Sequence, residues 1–118
     1  MNRKTVLLTG STGLVGSMIL LKMQDSDELY TVGRDKRADI KNERRYFKID
    51  LRDSFEFNQV VKQILPDVII HCAAQIPSAS HPDSKELGNI NEQIDASVFK
   101  AVSQTSCKLI YMSSTIVY

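Results

Sequence analysis

Apolar and polar positions along this chain follow two rhythms. "TVLLT" (5–9), "LYTVG" (29–33), "RRYFKID" (44–50), "PDVIIHCAA" (66–74) and "KLIYMSS" (108–114) are short runs enriched in β-branched and aromatic residues. Runs of this kind predict five strands, and the unbroken ones predict strands buried on both faces. Between them the period lengthens. Leu14, Val15, Met18, Ile19, Leu21 and Met23 cover a helix-length segment that stops at the turn-rich "QDSDE". "SFEFNQVVKQIL" (54–65) predicts a helix with Ser54 at its N-cap and Pro66 just past its end. From 83 to 104, Ile90, Ile94, Val98, Ala101 and Val102 recur at helical spacing. The charged segment 34–43 is short for a helix and predicts a loop or a single turn.

Strands that alternate with helices require crossover connections, and those produce a parallel sheet with helices on both faces. The expected fold is therefore α/β, a doubly wound sheet of Rossmann type with strand order 3-2-1-4-5, forming one domain over residues 1–118. Composition narrows the picture without changing it. At 118 residues, 42% hydrophobic and 25% charged, the chain has the make-up of one ordinary globular domain. A net charge of +1 gives no concentrated basic surface for nucleic acid or anionic lipid. No apolar stretch approaches the roughly 18 residues of a membrane span, and the N-terminus has no secretory pattern. Cys72 and Cys107 lie in apolar runs and read as buried free thiols, which fits a reduced, cytoplasmic compartment. No cluster of residues at metal-ligand spacing stands out.

The candidate chemistry begins directly behind the first strand. "TGSTGLVGS" (9–17) places Gly10, Gly13 and Gly16 at intervals of three, although the whole chain has only five glycines. A strand that feeds a glycine turn and then a helix gathers unpaired backbone N–H groups and the positive helix end at one point, where a pyrophosphate fits. In that reading the first glycine permits the turn, the second lets phosphates approach, and the third lets helix and strand pack closely. The same glycines also fit a plain strand–turn–helix.

The spacing, with the motifs downstream of it, resembles the extended short-chain dehydrogenases/reductases, a family that includes NAD(P)-dependent epimerases, dehydratases and reductases of nucleotide-sugars. "TGSTGLVGS" resembles their opening motif. This implies a cofactor site built from Gly10, Thr12, Gly13, Leu14, Val15 and Gly16. "DLRD" (50–53) is similar to their adenine-contacting Asp-x-x-Asp, with Asp50 as acceptor for the adenine amino group and Leu51 beside it. "PDVIIHCAAQ" (66–75) resembles their fourth strand and puts Ala73 and Ala74 along the cofactor; His71 receives no catalytic role. "NEQIDASVFKAV" (91–102) is similar to their long helix, with Asn91 on the family's asparagine, and departs from it where Ile94-Asp95 replaces Gly-Thr. "YMSSTIVY" (111–118) resembles the fifth strand and its hydroxyl-bearing loop, which places Ser114 as the catalytic hydroxyl. Read alone, Asp50 also serves as a turn cap, and Ser113 and Ser114 as strand-end hydroxyls.

An acid closing the second strand normally binds the ribose of NAD, whereas an arginine there accommodates the phosphate of NADP. Here the strand ends "TVGRDKR", with Arg34 where the acid is expected, so NADP is favoured over NAD. The resemblance further implies a tyrosine acid/base paired with a lysine four residues on. At that offset Tyr30 meets Arg34, Tyr46 meets Asp50, Tyr111 meets Thr115, and Tyr118 is the last residue. Tyr-x-x-x-Lys is absent. The expectation is the N-terminal fragment of a longer enzyme, without turnover of its own and without the C-terminal substrate-binding region. A non-catalytic module that binds or senses NADP(H) is the alternative. A strand 108–114 left at the sheet edge also predicts self-association. The loop "QIPSASHP" (75–82) leaves the substrate open.

Overall fold

The computed structural model describes residues 4–11, 13–23, 28–34, 45–73 and 84–112. In chain order the elements are β1 (Val6–Thr9), α1 (Leu14–Met23), β2 (Leu29–Gly33), β3 (Tyr46–Lys48), α2 (Ser54–Ile64), β4 (Val68–His71), α3 (Ser84–Ser103) and β5 (Lys108–Tyr111). The strands form one parallel sheet in the order β3-β2-β1-β4-β5, the expected doubly wound arrangement. Segment 35–43 and residues 113–118 lie outside the described residues, and with them the expected loop and the Ser113–Ser114 reading.

Alternation explains why the strand sequences look continuously apolar. Leu7 and Ile69 face each other in register and enter the larger core with Phe57, Val60 and Val61 of α2 and Ile90, Ile94, Val98 and Ala101 of α3. Their neighbours Val6, Leu8, Val68 and Ile70 point to the opposite face, where Ile19, Leu20 and Met23 of α1 pack on them. Each central strand is thus buried on both sides, and all four residues of β1 are buried. The expected α3 stripe is the face that packs, with Val102 half-buried at its end.

Two local expectations need correction. The N-cap of α2 is Asp53, not Ser54. Its backbone is extended (φ −85°, ψ 95°), and its carboxylate accepts from the Glu56 backbone N–H at 3.0 Å, so Ser54 is already helical. Leu65 closes the helix in the left-handed region (φ 53°), and its N–H donates to the Val61 carbonyl. Pro66 follows at once, and the residue before a proline is steered out of the right-handed helical region. The thiols are free, as expected, but half-buried rather than buried. Cys72 lies just past the last residue of β4, and Cys107 lies in the turn between α3 and β5, where Thr105 Oγ1 is 3.0 Å from its sulfur.

Candidate functional site

The glycine turn sits at the carboxyl end of the central strand. Gly10 adopts φ +73°, and a Cβ there would lie 2.5 Å from the Ala73 nitrogen and the Cys72 carbonyl carbon. A Cβ on Gly16 would lie 1.8 Å from the Gly10 carbonyl oxygen. These two glycines are demanded by the protein itself, one for the turn against β4 and one for the close approach of α1. Gly13 differs. It is exposed, and a Cβ there would meet only the Gly10 oxygen, at an ordinary 3.6 Å. Nothing within the described protein excludes a side chain at Gly13, so the open space above it is what a glycine preserves.

The electrostatics suit an anion in that space. The Gly13 N–H folds back to the Gly10 carbonyl at 3.1 Å, and Ser17 N–H reaches the Gly13 carbonyl at 2.9 Å to start α1. The first turn of α1 carries no acidic residue, and Lys22 lies in its last turn, so the helix does not neutralise its own positive N-terminal end. Ser11 Oγ is buried and has no hydrogen-bond partner among the described residues, an arrangement that costs on the order of 1–3 kcal/mol unless a ligand satisfies it. An open glycine, an unneutralised helix end and an orphaned hydroxyl together fit a bound pyrophosphate. Thr12 lies outside the described residues, as does the side chain of Leu14; Val15 is exposed on α1.

Behind this turn runs a hydrogen-bonded chain that sequence reasoning missed. Thr9 and His71 are register partners at the ends of β1 and β4, with Thr9 Oγ1 2.6 Å from His71 Nδ1. His71 Nε2 lies 2.8 Å from Asp95 Oδ1 on α3, and Tyr111 Oη of β5 donates to Asp95 Oδ2 at 2.9 Å. Thr9 Oγ1 also accepts from the backbone N–H groups of Cys72 and Ala73, each at 3.1 Å. Burial holds the His71 imidazole below the ordinary histidine range despite the raising effect of Asp95, so the ring is neutral. A carboxylate at Asp95 can only accept, which places the ring proton on Nε2 and leaves Nδ1 to take the Thr9 hydroxyl proton. The Tyr111 hydroxyl is pushed up by its bond to Asp95, by burial and by the nearby negative charge. The available signal was a Thr and a His ending two neighbouring parallel strands, with an aspartate where the resemblance expects threonine.

The carboxylate that the resemblance assigns to adenine already has partners within the chain. Asp50 Oδ1 accepts from the Arg52 backbone N–H at 2.9 Å, and the Arg52 guanidinium donates to Oδ2 from Nη2 at 2.8 Å. That hydrogen bond, followed by the backbone bond and the charges of Arg52 and Arg34, holds the Asp50 carboxyl below the usual carboxylate range against desolvation. Arg34 is exposed at the end of β2, close enough for its charge to be felt at Asp50. The Leu51 side chain is 7% exposed and belongs to the core. Asn91 is half-buried on α3, Ala73 packs against the core, and Ala74 and Ser114 lie outside the described residues. No group of three or more His, Cys, Asp or Glu able to hold a metal occurs among the described residues. Nor does any described helix have the length and apolarity to cross a membrane.

The sequence also matches the model of the NAD dependent epimerase/dehydratase family over residues 6–118. The chain belongs to this family. Among curated proteins it is similar to methionine adenosyltransferase 2 subunit beta of Bos taurus, 30% identical over 120 residues, and of Mus musculus, 28% identical over 116 residues. These alignments take in 99% and 98% of this chain and 34% of each relative, so the chain spans about a third of their length. Among solved structures, L-threonine dehydrogenase of Clostridium difficile superposes with a TM-score of 0.82 at 21% identity, covering 97% of this chain and 37% of that one. UDP-glucose 4-epimerase of Thermotoga maritima gives 0.76 at 19% identity, over 93% of this chain and 38% of that one. The Bordetella bronchiseptica enzyme WbmG, solved with NAD and UDP, gives 0.72 at 19% identity, over 93% and 37%. These likenesses establish the Rossmann-type fold, and membership of the family supports use of a nicotinamide nucleotide.

Proposed function

We propose that this chain is the NAD(P)-binding portion of a nucleotide-sugar epimerase, dehydratase or reductase that works by hydride transfer. The observation that carries the reading is the contrast among the glycines: the fold itself demands Gly10 and Gly16, while Gly13 keeps open a space that the described residues do not fill. The backbone of the turn, Ser11 and the N-terminus of α1 hold the pyrophosphate, and the nicotinamide supplies the hydride chemistry when bound. Thr12, Leu14 and Val15, the last two in the first turn of α1, keep the roles that the family resemblance implies, as do Ala73, Ala74, Asn91 and Ser114. At the adenine end, Asp50 shares its carboxylate with Arg52, so adenine recognition proceeds with Arg52 beside it. Arg34 favours the phosphate of NADP over the plain ribose of NAD. The 118 residues contain no Tyr-x-x-x-Lys, and the proposal assigns them no turnover of their own.

Fluorescence titration with NADPH and NADH tests this reading. Wild type binds NADPH more tightly, and Gly13→Val weakens both nucleotides by at least about tenfold, equivalent to about 1.4 kcal/mol. Equal affinity of Gly13→Val and wild type would remove the observation on which the reading stands, and tighter NADH binding would reverse the NADP preference.

A second reading, a non-catalytic module that binds or senses NADP(H), draws on the curated relatives, which are named as a subunit of an adenosyltransferase. Turnover of NADPH with nucleotide-sugars separates the two. We also propose that β5 pairs with a second copy of this chain. Ile110, Tyr111 and Met112 are 47%, 46% and 41% exposed at that sheet edge. Sedimentation that finds only monomer at high concentration rules this pairing out.

A further inference from the structure

The chain Thr9–His71–Asp95–Tyr111 takes no part in the cofactor contacts above, yet it ends on the wall of the glycine turn. Gly10 turns so close against this segment that a Cβ on it would lie 2.5 Å from the Ala73 nitrogen and the Cys72 carbonyl carbon, and the N–H groups of those two residues are the ones that Thr9 Oγ1 accepts. We propose that Asp95 is a positioning residue for the cofactor turn, acting through His71 and Thr9 rather than by touching the cofactor. This inference rests on the reading of the glycine turn as a cofactor site.

A hydroxyl has one proton and two lone pairs. With Asp95 accepting from Nε2, the bare Nδ1 takes the Thr9 proton, and both lone pairs are then fixed on the two backbone amides. Every polar atom in the arrangement is satisfied. The reverse tautomer presents an Nδ1–H to Thr9 Oγ1, where it competes with one of the amides and strands the hydroxyl proton. Protonation of His71 does the same. The groups facing the ring are Asp95 from α3, Tyr111 from β5 with its ring centroid 5.6 Å away, and Thr9 from β1, while Cys72 follows it on its own strand. The carboxylate is the group that attracts the imidazolium, and burial of the ring opposes it more strongly. The turn is therefore correctly set at neutral pH. Cofactor affinity falls as the pH drops through the His71 value, which lies below the ordinary histidine range.

Long-range nitrogen-15 NMR of His71 and exchange of the Ala73 amide are measured without cofactor, and NADPH and NADH are titrated across pH. Wild type shows the Nε2–H tautomer. Asp95→Ala populates both tautomers, speeds Ala73 exchange, and weakens both nucleotides by at least about fivefold. Asp95→Asn keeps the volume and an acceptor oxygen, restores tautomer and affinity, and shifts the low-pH loss to lower pH because the carboxylate's attraction is gone. An Asp95→Ala chain that is folded and keeps the wild-type tautomer, Ala73 exchange and affinity overturns the proposal. So does equal weakening in both variants with the tautomer unchanged, since that describes a merely structural residue. If wild type binds neither nucleotide, the cofactor reading fails, and the tautomer and the Ala73 exchange alone then decide whether Asp95 sets the turn.

Discussion

The two faces of this sheet are built to different depths. On one, α2 and α3 close over Leu7, Val32 and Ile69, and Phe57, Val61, Val98 and Ala101 are fully buried. On the other, α1 covers a smaller cluster in which Val6, Leu8 and Leu29 are buried and Ile19, Leu20 and Met23 only partly so. The same strands supply both, since Leu7 and Leu8 are neighbours in one chain and both are 0% exposed. The depth of a face is therefore set by the helices laid on it, not by the strands. α1 is apolar on its outward side as well, with Val15, Met18 and Leu21 41%, 56% and 69% exposed. Strand alternation turns Ile110 and Met112 toward this thinner face, opposite to Leu109, which packs with α3's side.

The comparison breaks most readily at Phe57. Phe57→Ala removes a fully buried ring from the thick face and is expected to cost about 3–5 kcal/mol in urea unfolding. On the thin face, Met23→Ala removes a half-buried side chain and is expected to cost about 1–2 kcal/mol, toward the low end for such truncations because the site is already open. Equal losses would show that the two faces contribute alike.

The next effect concerns how α1 is held to the thin face. Gly16→Ala drives a Cβ to 1.8 Å from the Gly10 carbonyl oxygen, so α1 must move off β1, at a cost of about 1–3 kcal/mol or more. Gly13→Ala has room for its methyl and is expected to change stability by less than about 1 kcal/mol, with the loss appearing in cofactor affinity instead. Similar unfolding midpoints for the two variants would contradict the separation of roles within the turn.

How much of this was legible beforehand depends on how far apart the deciding residues lie. The five strands and three helices follow from periods of 2 and 3.6 within short windows, and the Ile90–Ile94–Val98–Ala101 stripe is a local pattern. The glycine turn is equally local. The Thr9–His71–Asp95–Tyr111 chain is not, because its members come together only through the parallel register of β1, β4 and β5 with α3 above them. In the sequence Asp95 counts only as a departure from the resemblance, whereas in the fold it is the acceptor that joins two elements. The cap of α2 was misread for a different reason. Asp53 and Ser54 are adjacent good caps, and backbone geometry chooses between them.

A smaller effect tests whether the thick face is already optimal. Leu65 ends α2 in the left-handed region, which a side chain pays for in strain, and its own side chain is 69% exposed and gains little from packing. Leu65→Gly is expected to raise stability by up to about 1 kcal/mol, with the gain reduced by the entropy that glycine adds to the unfolded chain. A loss on that substitution would mean that Leu65 packs more productively than its exposure implies.

The smallest effect lies at the rim, where three consecutive residues divide between core and solvent. Leu51 is buried in the thick face, while the side chains of Asp50 and Arg52 on either side of it are 40% and 42% exposed. An ion pair this open is screened by solvent, so Arg52→Ala is expected to cost only a few tenths of a kcal/mol at neutral pH. Its pH dependence has a definite sign. The folded Asp50 carboxyl is held below its unfolded value, so its contribution is present above the unfolded carboxylate range and is lost as pH falls through the folded value. The stability difference between wild type and Arg52→Ala should therefore shrink to nothing in acid, and it should also shrink with added salt at neutral pH. A difference that persists in acid would assign the role of Arg52 to the packing of its aliphatic stem beside Leu51 rather than to its charge.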